Sequence, residues 1–136
     1  MTSLNTTQLH IAAALVAGAT LALQPVLAQL AGLQRTDLLR RDLSVAEREA
    51  IQVRVDFGPG TSAPAHTHPG EEIAYVLEGT LEYQIEGGTP ITLHAGQSLF
   101  VPAGASHSAR NVGSGKASEL ATYFVEKGRP LIVSTP

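Results

Sequence analysis

From Ile51 onward, hydrophobic and polar residues alternate along a series of short segments. In the first of these, IQVRVDF, Val53, Val55 and Phe57 share one face and the polar residues lie on the other. A period of two is typical of a strand with one buried face. Further segments of similar texture are bounded by glycine, proline or polar residues: IAYVLEG, TLEYQIEGG, ITLHAG, SLFVP, SHSARNV, ASELATYFVE and PLIVS. About eight short strands spaced by roughly 8–12 residues, with no long amphipathic helix, predict an all-β sandwich or barrel.

The beginning of the chain has a different character, because it is almost wholly apolar and carries no charged side chain before Arg35. The run IAAALVAGATLALQPVLAQ includes Val-Leu-Ala, with small residues at the two positions that signal peptidase reads. We therefore interpret residues 1–28 as a secretory signal peptide, although its start lacks Lys and Arg. The alternative is an uncleaved membrane anchor over Ile11–Leu33, against which Pro25 argues.

Residues 29–50 are polar and carry many of the charges of the chain. This composition predicts a short N-terminal arm or connector, with room for a turn of helix after Ser44. The alternating strands then place a single domain over residues 51–136, a size that suits one hydrophobic core.

Composition limits the chemistry that this domain can perform. The net charge is −3 and there is no run of Lys or Arg, which argues against a nucleic-acid partner. Cysteine is absent, so disulfide and thiolate chemistry are excluded. A metal site in this chain would therefore use nitrogen and oxygen ligands.

The segment PAHTHPGEE concentrates two of the five histidines of the chain beside glutamate. His66 and His68 are two residues apart, so on a strand both imidazoles project from one face. The Pro-Gly turn that follows brings Glu72 back toward the same side. Neutral imidazoles and a carboxylate suit a divalent transition-metal ion, whereas two imidazoles packed together would repel each other when charged. The best candidate for a fourth ligand is His107, which follows the turn in LFVPAGASH.

The spacing of these residues resembles the two sequence motifs of the cupin superfamily. The first motif matches Gly60, five residues, His66-x-His68, three residues, Glu72, six residues and Gly79. The second matches Gly96, five residues, Pro102-x-Gly104, two residues, His107, three residues and Asn111. Sixteen residues separate the two motifs, as in small bacterial single-domain cupins. Both motifs are complete and in order, and the resemblance extends from Ile51 to about Val133.

This resemblance implies a double-stranded β-helix, or jelly-roll, cupin barrel preceded by the short N-terminal arm. It also implies that one divalent metal ion (Fe, Mn, Ni, Zn or Cu) is bound inside the barrel by His66, His68, Glu72 and His107. Such a ligand set leaves coordination positions free for water or a small molecule. Asn111 is expected to have a structural role near the site, and the glycines of the motifs are expected to permit positive-φ turns.

Other residues are weighed against ordinary structural roles. Tyr83 and Tyr123 are the candidates for lining the pocket, where a hydroxyl near the metal could act as acid or base, and core packing is the alternative. Glu71 is expected on the opposite face from Glu72, with ligation by Glu71 as the alternative. His94 is expected at the surface. Two arginines could anchor an anionic ligand but are expected to be solvated surface charges: Arg54 and Arg110.

Together these expectations describe an exported metal-binding cupin, periplasmic or secreted, with no membrane contact after signal cleavage. The favoured function is a metalloenzyme that acts on a small-molecule substrate by dioxygenase-like or by lyase- or isomerase-like chemistry. The alternative is a non-catalytic module that binds or senses a small ligand with the metal as anchor. A purely structural or storage role would not need four convergent ligands. A homodimer is expected, because exposed barrel edges are commonly covered by pairing.

Overall fold

The computed structural model describes residues 32–136, so the expected signal peptide at residues 1–28 lies outside the described residues. The described chain forms ten strands and no helix. The strands are β1 (Leu33–Asp42), β2 (Arg48–Phe57), β3 (Ser62–Thr67), β4 (Gly70–Glu78), β5 (Thr80–Ile85), β6 (Ile91–His94), β7 (Ser98–Val101), β8 (His107–Asn111), β9 (Ala117–Glu126) and β10 (Val133–Ser134). No segment within residues 32–136 is a helix of the length and apolarity needed to cross a bilayer.

The ten strands pair into two five-stranded antiparallel sheets. One sheet has the order β1-β2-β9-β4-β7 and the other has the order β10-β3-β8-β5-β6. Neighbours in each sheet are mostly distant in sequence, as in a double-stranded β-helix where the chain passes repeatedly between two sheets. This arrangement confirms the all-β jelly-roll architecture predicted from the alternating pattern.

Part of the polar segment that was interpreted as an arm is a strand. Its residues Leu33–Asp42 form β1, the outermost strand of the first sheet. It pairs antiparallel with β2, from Leu33 opposite Phe57 to Asp42 opposite Glu49, with one register shift between Asp37 and Leu39. All of its side chains except that of Leu33 are exposed. The helical turn allowed for after Ser44 is wrong, since the chain makes a tight turn there and Glu47 adopts a φ of 57°. The next strand accordingly begins at Arg48, three residues before the predicted start.

The hydrophobic core lies between the two sheets. On β2, burial alternates strictly, and Val53, Val55 and Phe57 are all at most 1% exposed. Each such side chain contributes about 1.5–3 kcal/mol when it leaves water. The rest of the core comes from both sheets and includes Ala74, Val76, Leu81, Tyr83, Leu93, Ala109, Ala117, Ala121, Tyr123 and Val125. The same interior also holds polar side chains, which define the site described below.

Two motif glycines have physical reasons to be glycine. Gly96 adopts a φ of 90° in the turn between β6 and β7. Gly79 adopts a φ of 75° between β4 and β5, and a Cβ there would lie 2.6 Å from the carbonyl oxygen of Lys116. Both positions confirm the expected positive-φ turns, and the second also requires a close approach of two backbones.

The side chain of Asn111 forms hydrogen bonds to two segments of the chain at one end of the barrel. Its Nδ2 donates to the carbonyl oxygens of Phe57 (3.2 Å), Gly58 (3.0 Å) and Gly115 (2.8 Å). Its Oδ1 accepts a hydrogen bond from the backbone N–H of Gly113 at 3.0 Å. With 2% of its surface exposed, this side chain has the structural role expected for it.

Candidate metal centre

Four polar residues from three strands and one loop converge between the sheets. His66 lies near the end of β3 and pairs across the ladder with His107, the first residue of β8. His68 follows β3 directly, and Glu72 enters from β4 in the opposite sheet. Three of them are at most 5% exposed, and His66 is half-buried. The fold thus brings together all four residues predicted to bind the metal.

The ligand atoms of this cluster lie close together. One ring nitrogen of each histidine lies within 4.8 Å of those of the other two. The Glu72 Oε2 atom lies 3.1 Å from Nε2 of His68 and 3.1 Å from Nε2 of His107. Three histidines at these separations fit a divalent metal site.

Each imidazole is held in position by a backbone carbonyl oxygen on its other side. The pairs are His66 Nδ1 with Pro64 O (2.6 Å), His68 Nδ1 with Leu131 O (2.6 Å) and His107 Nδ1 with Ala105 O (3.1 Å). A carbonyl oxygen only accepts, so each Nδ1 carries the proton and donates it. In a neutral imidazole, Nε2 then presents a lone pair. This second contact is the one that metal-binding histidines usually make.

Two atoms of the cluster have no hydrogen-bond partner within the described residues. They are Nε2 of His68 and Oε2 of Glu72, and both are buried. Buried polar atoms are normally hydrogen-bonded, and two acceptors held 3.1 Å apart repel each other. A cation between them would satisfy both, which makes the donor set well suited to a metal ion.

Electrostatics in the pocket favour the protonation states that ligation needs at His66 and Glu72, and oppose the neutral form at His107. Burial lowers the pKa of His66 to about 4. Burial alone would raise the pKa of Glu72, but the imidazoles of His107 and His68 lower it to about 2. Burial opposes protonation of His107 as well, yet the Glu72 carboxylate and the Ala105 carbonyl raise the pKa of His107. At neutral pH the pocket therefore holds an ionised Glu72 and a neutral His66, and protons compete with a metal ion mainly at His107.

The two tyrosines proposed to line the pocket are both buried, Tyr83 at 2% and Tyr123 at 1% exposure. The ring of Tyr123 packs against that of His68, with centroids 4.6 Å apart, and its hydroxyl accepts a hydrogen bond from Nη2 of Arg35 at 3.1 Å. The hydroxyl of Tyr83 donates to Glu119. Burial raises the pKa of both tyrosines, so both hydroxyls are protonated at neutral pH. Tyr123 contacts the histidine cluster directly, whereas Tyr83 contacts the buried carboxyl of Glu119.

The sequence interpretation missed Glu119, a carboxyl group buried inside the barrel. Burial, and then the nearby charge of Glu72, raise the pKa of Glu119 to about 7. A signal was available: on ASELATYFVE, period two places Glu119 on the same face as Tyr123 and Val125. Arg35 was missed as well, because its segment was interpreted as a solvated arm.

The residues that were set aside occupy ordinary positions. Glu71 pairs across the ladder with Phe124, while Glu72 opposite Tyr123 is the carboxylate in the cluster. His94 is exposed, with Nδ1 3.2 Å from the Thr80 hydroxyl. The two arginines considered as anion anchors form surface ion pairs instead: Arg54 with Asp56 at 3.0 Å, and Arg110 with Glu82 at 2.9 Å.

Comparison with known proteins identifies relatives of this chain. A family model described as the cupin domain matches residues 53–125. An oxalate oxidase of Triticum aestivum is 34% identical over 109 residues, covering 70% of this chain and 48% of that protein. A dimethylsulfoniopropionate lyase of Ruegeria pomeroyi is 41% identical over 51 residues, covering 38% of this chain and 25% of that protein. The chain thus spans half or less of the length of these curated relatives.

Solved structures give the same fold. An oxalate oxidase in complex with the substrate analogue glycolate superposes with a TM-score of 0.63 at 29% identity, over 77% of this chain and 56% of that one. A predicted oxalate decarboxylase of Thermotoga maritima superposes with a TM-score of 0.59 at 28% identity, over 69% of this chain and 80% of that one.

Proposed function

The chain belongs to the cupin domain family, and from that premise we propose that it is a metalloenzyme whose single divalent ion is bound by His66, His68, Glu72 and His107. The observation that carries the proposal is the orientation of the three imidazoles. Each donates its Nδ1 proton to a backbone carbonyl oxygen, which leaves Nε2 to face the interior. The unpartnered Oε2 of Glu72 adds the negative charge that a divalent cation requires.

The residues at this site have different proposed roles. The four ligands hold the ion, and a bound divalent ion would supply a Lewis-acidic centre with coordination positions left for a small molecule. Tyr123 limits the movement of His68 by packing against its ring. The two sheets cover His68, Glu72 and His107 almost completely, which excludes bulk water from that side of the site.

The proposed reaction is either oxidation or elimination of a small organic substrate. One relative is named an oxalate oxidase and another a dimethylsulfoniopropionate lyase, so the same family includes both types of chemistry. Both are considerably longer than the matched segment. Their activities therefore indicate which substrates to test with this chain. The alternative function is a module that binds a small ligand without converting it.

The first experiment measures metal content by elemental analysis of protein loaded with each candidate ion and then desalted. About one equivalent is expected for the wild type, and His66→Ala or His107→Ala is expected to lower occupancy by at least about tenfold. His94→Ala is the matched control, because it removes an exposed imidazole outside the cluster. Full occupancy in both cluster variants would contradict the proposed ligand set.

The second experiment tests for catalysis. Oxygen uptake and substrate loss are followed with a panel of small carboxylic acids, for the metal-loaded wild type and for His66→Ala. Multiple turnovers that His66→Ala abolishes would support the enzyme. Saturable binding without product would instead establish the ligand-binding module.

Export and homodimer formation belong to the same proposal. Export rests on the apolar pattern of residues 1–28, and N-terminal sequencing of the protein recovered outside the cytoplasm tests it by the position of the first residue. The homodimer is supported by apolar side chains on the outer face of the first sheet, where Ile73, Tyr75, Leu77 and Phe100 are each at least 40% exposed.

A further inference from the structure

Arg35 lies on the outermost strand yet reaches the barrel interior. Its Nη2 donates to the buried hydroxyl of Tyr123, 88 residues away in sequence, at 3.1 Å. The ring of that tyrosine packs on His68. The contact therefore fixes one edge of the guanidinium group beside the histidine cluster. It uses one of the five N–H donors of arginine and leaves the others available.

A small cavity lies between Arg35 and His66, one of the four residues of the cluster. It has a volume of about 220 Å³ and is lined by Arg35 and His66 together with mostly apolar walls, including Leu33 and Ile132. With each water occupying about 30 Å³ of liquid volume, this space corresponds to about seven water molecules. The cavity therefore suits a small molecule with an apolar body that contacts the guanidinium at one point and approaches His66 at another.

Arg35 forms no ion pair with a carboxylate in the described part of the protein, although its charge lowers the pKa values of the buried Glu119 and Tyr123. Four other arginines form ion pairs with carboxylates: Arg40, Arg54, Arg110 and Arg129. None of the ion pairs within residues 32–136 includes Arg35. Because Arg35 is exposed, an incoming anion can reach it. A planar guanidinium with free donors binds a carboxylate through two parallel hydrogen bonds.

We infer that Arg35 is the substrate-specificity residue of this site and holds the carboxylate of a small organic acid whose apolar body fills the cavity beside His66. Tyr123 positions the guanidinium through its hydroxyl. This inference deepens the proposed function, on which it rests for the role of His66, and it selects small carboxylic acids among possible substrates.

The test uses isobutyrate as the probe and isobutyramide as its neutral counterpart of similar shape. Binding to the full protein is measured by NMR titration, both after chelation and after metal loading. The wild type is expected to bind isobutyrate at least about tenfold more tightly than isobutyramide, and Arg35→Gln is expected to remove this preference. Arg35→Lys keeps the positive charge but lacks the planar guanidinium group. This variant is expected to retain only part of the preference for isobutyrate over isobutyramide.

Two controls separate binding from folding. Arg54→Gln removes an arginine that already has a carboxylate partner and is expected to bind isobutyrate as the wild type does. The metal content of Arg35→Gln is expected to equal that of the wild type, which would establish that the histidine cluster is intact. Tyr123→Phe keeps the ring but not the hydroxyl, and is expected to weaken isobutyrate binding less than Arg35→Gln does.

The outcomes distinguish this inference from the proposed function. Equal affinity of wild type and Arg35→Gln for isobutyrate would overturn the inference. If that equal binding also disappears on chelation, the ion alone holds the carboxylate and the proposed function stands. Loss of isobutyrate binding in Arg35→Gln, in a protein that takes up no metal, would support the anion site and refute the proposed metal centre.

Discussion

Replacement of Glu119 by Gln is expected to change how the stability of the fold depends on pH. The carboxyl of Glu119 is buried and accepts a hydrogen bond from the hydroxyl of Tyr83. Burial and the charge of Glu72 raise its pKa from 4.5 to about 7. Between these values the folded protein keeps a proton on Glu119 that the unfolded chain releases.

The sign and size of the effect follow from this difference in bound protons. Because the folded state binds the extra proton, the free energy of unfolding falls as pH rises from 4.5 to about 7. Each pH unit in this window is worth about 1.4 kcal/mol, so the contribution of Glu119 falls by about 3 kcal/mol across it. Glu119→Gln keeps an oxygen that accepts the hydrogen bond of Tyr83, but its side chain does not titrate. The variant should therefore lack the pH-dependent part of the free energy of unfolding that Glu119 contributes.

The assay is urea unfolding of the metal-free wild type and Glu119→Gln, followed by circular dichroism at about pH 5, 6 and 7. The difference between the two free energies of unfolding reports Glu119 together with its charge coupling to Glu72 and His107, since every other titrating group is common to both proteins. Glu71→Gln, which removes a carboxyl that is not part of the histidine cluster, controls for the loss of one charge. Parallel pH profiles for the wild type and Glu119→Gln would refute the reasoning.

Three further predictions concern the metal, the barrel end and assembly. Bound metal is expected to be released as pH falls below about 6.5, because protons compete for the histidine nitrogens, first at His107; elemental analysis that finds a full equivalent at about pH 4 would contradict this. Asn111→Ala is expected to lower the free energy of unfolding by about 3 kcal/mol, since three carbonyl oxygens lose their donor, and urea unfolding indistinguishable from wild type would argue against that role. Light scattering is expected to give twice the chain mass, and a monomeric mass would refute the homodimer.

The local sequence pattern was sufficient to predict most of the strands and the composition of the candidate cluster. Alternation with a period of two depends only on which face of a strand is buried, so Val53 and Val55 were assigned to the core without knowledge of their neighbours. The paired histidines near Glu72, and then His107, have side chains that are unusual in an apolar barrel. Their match to the two cupin motifs implied that His107 would converge with the other three.

The tertiary structure alone decided the surroundings of that cluster. The carbonyl oxygen of Leu131 orients His68 across 63 residues, and Arg35 reaches Tyr123 across 88 residues. Neither contact can be predicted from the local sequence pattern, because each depends on which strands become neighbours in the two sheets. The polar segment before Arg48 appeared as a solvated arm for the same reason: its pairing partner β2 decides that it is a strand. A charged side chain such as Arg35 or Glu119 acquires its role from the groups packed against it, and in this barrel those groups come from distant parts of the chain.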